Sequence, residues 1–463
     1  MCEGMNKIEH LVILMMENRS FDHYFGSYSL LEGRTDVDGL KETTPPLLDK
    51  DGQPVPFWDM GAAKFYSGYA DPPHGWQHQH GNWNNGANDG FVTEFQKEFP
   101  TNPNGKSGSN IPVGYYTRET LPISYALADR FALCDRWFSS VLSSTWPNRK
   151  YLHSGQRDAD NDTQTLPPWP GFKTTPFYNA LEDTVDPATG SRLTWKNYFC
   201  DLPFLSFWYQ FAAYHALGNF TGIADFVSAC REDSLPTVSI IDPPFSLADD
   251  HPAHDVRLGQ KFIGLIVDAL THSESWSKTA LVLVYDENGA FYDHVPPPQS
   301  FEAAAGLAPE DDPLGFRVPA VVISPYAKQG VCSTVFDHTS LMKSIAVRWG
   351  VEFDPATYGT RWQNAQDIWQ DCFAFDQAPL PMGTYTQTAA ALAAGERSPM
   401  ASINWGMGIH DLLATPAGGV EGFLERIFIL PGLKALDHRA QVFDHLSSLE
   451  QGVIDLKRMA EPT

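Results

Sequence analysis

The sequence lacks most of the short signatures that would give a reaction away at sight. It has no C-x-x-C pair: its six cysteines (Cys2, Cys134, Cys200, Cys230, Cys332 and Cys372) stand singly along the chain. That argues against a thiolate zinc site. The even number permits disulfides without requiring them, and the six read as reduced, mostly buried thiols. No G-x-S-x-G is present, which disfavours a nucleophile elbow. "NPNGKS" (102–107) lacks the upstream glycine and the preceding strand of a P-loop. Basic clusters are missing too. With 32 Lys and Arg against 56 Asp and Glu, the net charge is −24. Such a surface repels nucleic acid and disfavours anionic membranes, while zwitterionic and small-molecule ligands remain open. Long apolar runs are absent as well. "LVILMM" is far too short to span a bilayer, and nothing reaches the ~18 apolar residues a spanning helix needs. "MCEGMNKIEH" has neither the basic nor the apolar region of a secretory signal. The chain as given therefore reads as soluble and cytoplasmic, with export by another route, or a removed signal, left open.

What is present points to a large α/β protein. The chain has 463 residues, and its 36 Gly and 35 Pro predict many long, specific loops. Four continuous apolar runs have the character of buried parallel strands: "HLVILMM" (10–16), "TVSIID" (237–242), "TALVLVYD" (279–286) and "VPAVVISP" (318–325). Between the second and third, Val256, Leu258, Phe262, Leu265, Ile266 and Leu270 can share the apolar face of a helix. Strand, helix, strand is a βαβ unit. Residues 40–115, rich in Gly, Pro, Asn and aromatics, read as long loops. Residues 385–463 read as a C-terminal helical appendage to a catalytic domain spanning 1–384.

Polar residues cluster where the strands stop. The first run ends in Glu17-Asn18, the second in Asp242 and the third in Asp286-Glu287. In open α/β sheets ligands bind at the carboxyl ends of strands. Carboxylates converging there would repel one another, and a hard divalent cation resolves the conflict. For Asp242, before Pro-Pro, capping of the next turn is the favoured reading. "SSTWPNR" offers Ser143, Ser144 and Thr145 either as a nucleophile or as a helix N-cap, and Arg149 as a bidentate phosphate ligand. "DPPHGWQHQHGNW" supplies His74, His78 and His80, and "ADDHPAHDV" supplies His251 and His254. Neither has the helix context of an H-E-x-x-H protease motif.

Four blocks in order, "ENRSFDHYFG", "STWPNR", "DENGAFYDHVPPP" and "RVPAVVISPYA", resemble the bacterial phospholipase C and acid phosphatase family, which includes the plant non-specific phospholipases C. "DPPHGW", "DDHPAHDV" and "FDHTS" look like its intervening signatures. The resemblance covers about residues 7–350. It implies an alkaline-phosphatase-like α/β sandwich with a central, mostly parallel sheet. It implies a divalent metal (Ca²⁺, Mg²⁺, Mn²⁺ or Zn²⁺) bound by Glu17, Asn18, Asp286 and Glu287, with Thr145 as nucleophile and metal neighbour and Ser144 as the fallback. His74, His251 and His254 would lie toward the phosphoryl group, with Asn148 and Arg149 completing the catalytic set. His215, His294 and His338 are further possibilities. Arg19, Asp22 and His23 are expected to hold the loop after the first strand, and Gly26 to let it turn. Many relatives read "DEHGGF" where this chain has "DENGAF", so Asn288 stands in place of a histidine. The implied substrate is a phospholipid cleaved on the glycerol side of its phosphodiester, or a small phosphomonoester. Peripheral membrane contact is open, nucleic acid is not expected, and the oligomeric state is not legible. Trp76, Trp83 and Trp146 could cage a choline or simply pack. A catalytically dead binder of phospholipid is the non-enzymatic alternative.

Overall fold

The computed structural model describes residues 4–100, 108–158, 171–216, 218–252, 254–306 and 311–380. The expected appendage, 385–463, lies outside the described residues. The apolar runs form the middle of one eight-stranded sheet. Its strands are β1 (His10–Met16), β2 (Ala132–Cys134), β3 (Trp195–Phe199), β4 (Phe220–Gly222), β5 (Val238–Asp242), β6 (Thr279–Tyr285), β7 (Ala320–Ile323) and β8 (Gly330–Cys332). Their spatial order is β8-β2-β7-β6-β1-β5-β3-β4. Every residue of β5 and β6 is buried, as in β1 after His10. A sheet covered on both faces explains why these strands read as unbroken apolar runs.

β1 lies parallel to both β6 and β5, with Met16 opposite Tyr285. One expectation fails here. The run 318–325 does not form a parallel strand: β7 runs antiparallel to β6 and to β2. An apolar run carries no direction, so only pairing could reveal this. The other seven strands point one way, which brings the carboxyl ends of β1, β5 and β6 to one edge.

Five helices matter for the site: α1 (Phe21–Phe25), α2 (Trp76–Trp83), α3 (Thr145–Ser154), α4 (Val256–Thr271) and α5 (Thr339–Trp349). α4 is the expected crossover helix. Its buried face uses Val256, Phe262, Ile263, Ile266, Val267 and Leu270, whereas Leu265 is 41% exposed and lies off the stripe. The segment 40–115 is more ordered than its composition suggests, since it contains α2, the helix Phe91–Glu98 and short strands. Among the described residues no helix is long and apolar enough to cross a membrane.

Candidate active site

The edge where β1 and β6 end holds the polar residues in place through the backbone. Asp286 N donates to Met16 O, and Glu17 N donates to Asp249 O. Asn18 has φ 57, a left-handed conformation that Asn tolerates better than most side chains. Its N–H donates to Asp286 Oδ1 at 2.8 Å, and Glu287 N donates to the same oxygen at 2.7 Å. The loop after β6 turns back onto Asn18 through Gly289, at φ +60, where a Cβ would sit 2.2 Å from Asn18 O. Only glycine fits there.

α3 begins at Thr145, directly against this edge. Thr145 Oγ1 lies 3.2 Å from Glu17 Oε2 and 3.2 Å from Asn18 Oδ1. Thr145 is partly exposed, whereas Glu17, Asn18, Asp286 and Glu287 are buried. Ser144 is the N-cap residue of α3, but its side chain does not cap the helix. The first turn of a helix presents unpaired N–H groups and a partial positive charge, which suits an anion.

The histidines approach from two other segments. His74 Nδ1 donates to Pro72 O at 2.7 Å, which turns Nε2 toward the strand ends. That nitrogen lies 3.1 Å from Asn18 Nδ2 and 3.9 Å from Glu287 Oε1. The His251 ring centroid is 5.8 Å from that of His74. Burial alone would depress the His251 imidazole, but the Asp71, Asp249 and Glu17 carboxylates outweigh it and raise the group above its ordinary value. His254 stands further out, with Nδ1 bound to Asp249 Oδ1 at 2.6 Å and its ring 6.2 Å from that of His251.

Two expected catalytic residues have other work. Arg149 is fully buried, and its Nε donates to Glu17 Oε1 at 2.8 Å. Its other nitrogens reach Met15 O at 3.0 Å and Asp242 Oδ1 at 3.5 Å. It lies one helical turn beyond Thr145, so the helix directs it inward under the acids rather than toward a phosphate. Asp242 correspondingly serves Arg149, Asn197 and the Phe204 N–H, not a turn cap. Asn148 is buried, accepts from Val141 N and donates to the carbonyls of Val141, Ser143 and Ser144. It clamps the loop that presents Thr145 instead of touching substrate.

Several positioning groups carry no sequence signal of their own. Gln79, on the buried face of α2, donates to Glu287 Oε2 at 2.9 Å and to Asn288 Oδ1 at 2.6 Å. Asn288 is thus occupied structurally. His338 donates from Nε2 to Asp286 O at 2.6 Å, and burial draws its pKa down to about 4. Asp71 joins His74 and His251 in a trio whose ligand atoms all lie within 4.8 Å.

The remaining expectations separate. Arg19 binds Asp250 O, His23 and Tyr69, which ties the β1 loop down. Asp22 pairs with Arg317 and His294, and His215 bonds to Asn179 and Asn219, so His294 and His215 are each engaged in their own hydrogen-bond sets. Gly26 has φ −58, so no special conformation is needed there; a Cβ would instead lie 2.4 Å from Asp22 O and 2.9 Å from Leu40. Trp146 packs against Phe207 and Phe172, and Trp76 against His80.

The acid set fits a cation. Asp286 Oδ2 and Glu287 Oε1 are buried without a hydrogen-bond partner. Burial, reinforced by the Glu17 charge, pushes Asp286 up to about 8; burial and Asp286 hold Glu287 well above the ordinary range. Buried acids that resist ionisation for want of a partner are what a bound cation relieves. Carboxylate, amide and hydroxyl oxygens make a hard donor set. Glu17, Asp286 and Glu287 do not close within 4.8 Å of one another as the Asp71–His74–His251 trio does.

Comparison with known proteins completes the picture. A family model described as "Phosphoesterase family" matches residues 8–352. Phospholipase C B of Mycobacterium tuberculosis is 35% identical over 424 residues, covering 79% of this chain and 77% of that protein. Non-specific phospholipase C3 of Arabidopsis thaliana is 31% identical over 378 residues, covering 72% of this chain and 68% of the other. Among solved structures, a protein in the alkaline phosphatase superfamily from Vibrio parahaemolyticus aligns at a TM-score of 0.31 with 11% identity, over 50% of this chain and 61% of that one.

Proposed function

This chain belongs to the phosphoesterase family and is a phosphoric ester hydrolase; from that premise we propose that it is a metal-dependent phospholipase C working through a phospho-threonine at Thr145. The observation that carries the reading is the 3.2 Å approach of Thr145 Oγ1 to both Glu17 Oε2 and Asn18 Oδ1 at the head of α3. A phospholipid substrate is supported by the phospholipase C relatives, and transient contact with a lipid surface would follow from it.

Glu17, Asn18, Asp286 and Glu287, with the Thr145 hydroxyl, would hold the divalent ion. When bound, it supplies Lewis acidity that lowers the hydroxyl pKa and offsets phosphoryl charge. The protein's own groups do the rest. Thr145 is pre-aimed because its one O–H is shared between Glu17 Oε2 and Asn18 Oδ1, and Glu17 gives the proton a path off the oxygen. The oxygen attacks phosphorus in line, a P–O bond to Thr145 forms, and the P–O bond to the glycerol alcohol breaks. His251 remains protonated at higher pH than an ordinary histidine, so it is placed to protonate the departing alkoxide. His74, oriented by Pro72 O, takes Asn18 Nδ2 on its Nε2 and so leaves Asn18 Oδ1 toward Thr145. Neutral His251 then takes a proton from the water that hydrolyses the phospho-threonine.

A hydrolysis panel of phosphatidylcholine, phosphatidylethanolamine and a chromogenic phosphomonoester tests the reading. Diacylglycerol release with a trapped phospho-Thr145 supports it. Turnover of the monoester alone would make the enzyme an acid phosphatase, and no turnover with any of them would make it a binder.

A further inference from the structure

Three cysteines unused by the phosphoester chemistry meet at the β8–β2 edge of the sheet. Cys134 ends β2, Cys332 ends β8, and the two are register partners in a parallel pair. Register partners leave the sheet on the same face. Cys372 arrives from 238 positions beyond Cys134. Its segment is pinned there because Lys328 N donates to Cys372 O and Ala327 bridges to Phe373. All three sulfurs lie within 4.8 Å of one another.

Cys134 Sγ and Cys372 Sγ are 3.8 Å apart. That is far beyond a disulfide, at about 2.05 Å. It is the separation two thiolates take on one ion, since metal–sulfur bonds of ~2.3 Å at tetrahedral to trigonal angles put the sulfurs roughly 3.8–4.0 Å apart. Cys134 and Cys372 are fully buried, and Cys332 is 6% exposed at the rim. Among the described residues no His, Asp or Glu joins the group.

We infer that Cys134, Cys332 and Cys372 form a three-thiolate site for a soft, low-coordinate cation, copper(I). Soft sulfur donors select copper(I) over hard ions, and three donors satisfy it. Zinc fits less well, because structural zinc takes four ligands and no fourth Cys, His, Asp or Glu joins the trio among the described residues. The three cysteines bind as thiolates, so uptake of the ion releases their thiol protons. The hard oxygen set around Thr145 would not compete for the same ion.

The test uses the full-length, reduced protein under anaerobic conditions, titrated with copper(I) held by bathocuproine disulfonate. One equivalent should transfer to the protein, raise its melting temperature and protect Cys134, Cys332 and Cys372 from maleimide labelling read by mass spectrometry. Cys332→Ser, at the rim, should keep its fold and its phosphoesterase turnover but bind copper(I) at least tenfold more weakly. Cys372→Ser should do the same if it folds, and Cys200→Ser and Cys230→Ser should bind as the parent does. Failure to take up copper(I), uptake indifferent to Cys332→Ser, or a disulfide within the trio in freshly purified protein would each overturn the assignment.

Discussion

Arg149 Nε donates to Glu17 Oε1 at 2.8 Å while Thr145 Oγ1 holds the other oxygen of the same carboxylate at 3.2 Å. One acid is thus shared between a buried counter-charge and the reacting hydroxyl. The guanidinium stands 2.5 Å from Glu17 Oε1 and 3.8 Å from Asp286 Oδ2, so it faces both acids. Its loss leaves buried acids unpaired, which costs about 3–5 kcal/mol. Arg149→Met should therefore lower the unfolding free energy by about that much in urea titrations. A variant with unchanged stability and only a weaker grip on inorganic phosphate would return Arg149 to the substrate.

Thr145→Ala deletes a partly exposed hydroxyl and little packing. Stability should change by less than about 1 kcal/mol, while turnover falls by about 10³-fold or more, as nucleophile deletions do. Thr145→Ser should retain measurable rate. Ser144→Ala should keep most of the parental turnover, since it is Thr145 Oγ1 that meets Glu17 and Asn18. If Ser144→Ala proved the dead variant, the nucleophile would be reassigned.

The unpartnered oxygens of Asp286 and Glu287 give chelation two readouts. Removing the divalent ion should abolish turnover and lower the melting temperature. Asp286→Asn keeps an oxygen for the N–H groups of Asn18 and Glu287 and does away with an acid that burial and Glu17 resist ionising. The stripped variant should then be at least as stable as the stripped parent, while remaining inactive with any metal restored. An active Asp286→Asn enzyme, or a parent whose melting temperature ignores chelator, would remove the acids from the metal site.

The sequence revealed this site unevenly, and the reasons are physical. The strands of the sheet centre were legible because burial on both faces leaves continuous Val, Ile and Leu. The reversal of β7 was not, since Ala320–Ile323 reads alike in either direction. Glu17-Asn18 and Asp286-Glu287 stood out as polar endings of apolar runs. Their assembly with Thr145 came from resemblance, because nothing local links positions so far apart. Arg149 misled: an arginine four residues past a nucleophile is as good a phosphate ligand as a buried counter-ion until packing shows which way the helix faces. Gln79 and the cysteine trio were invisible for a related reason, as side-chain convergence leaves no mark in spacing.

His294 yields a pH prediction through its pairing with Asp22 and Asp38. Its Nδ1 lies 2.7 Å from Asp22 Oδ2 and its Nε2 3.2 Å from Asp38 Oδ1. Carboxylates only accept, so both nitrogens carry protons and the ring is an imidazolium. Burial opposes that charge, but Asp22 and Asp38 prevail over burial and over nearby Arg317, raising the group to about 10. The folded value exceeds the unfolded one of about 6.5. The contribution to stability is therefore fully present below pH 6.5, declines above it and is gone once the pH passes about 10, with an upper size of roughly a few kcal/mol. His294→Gln lacks this titration. Lysine and tyrosine ionisation is common to both proteins, so the difference between their unfolding free energies isolates the imidazolium. That difference should shrink steadily from pH 7 to pH 10. Parallel curves would mean that His294 is neutral in the fold and that Asp22 is balanced by Arg317 alone.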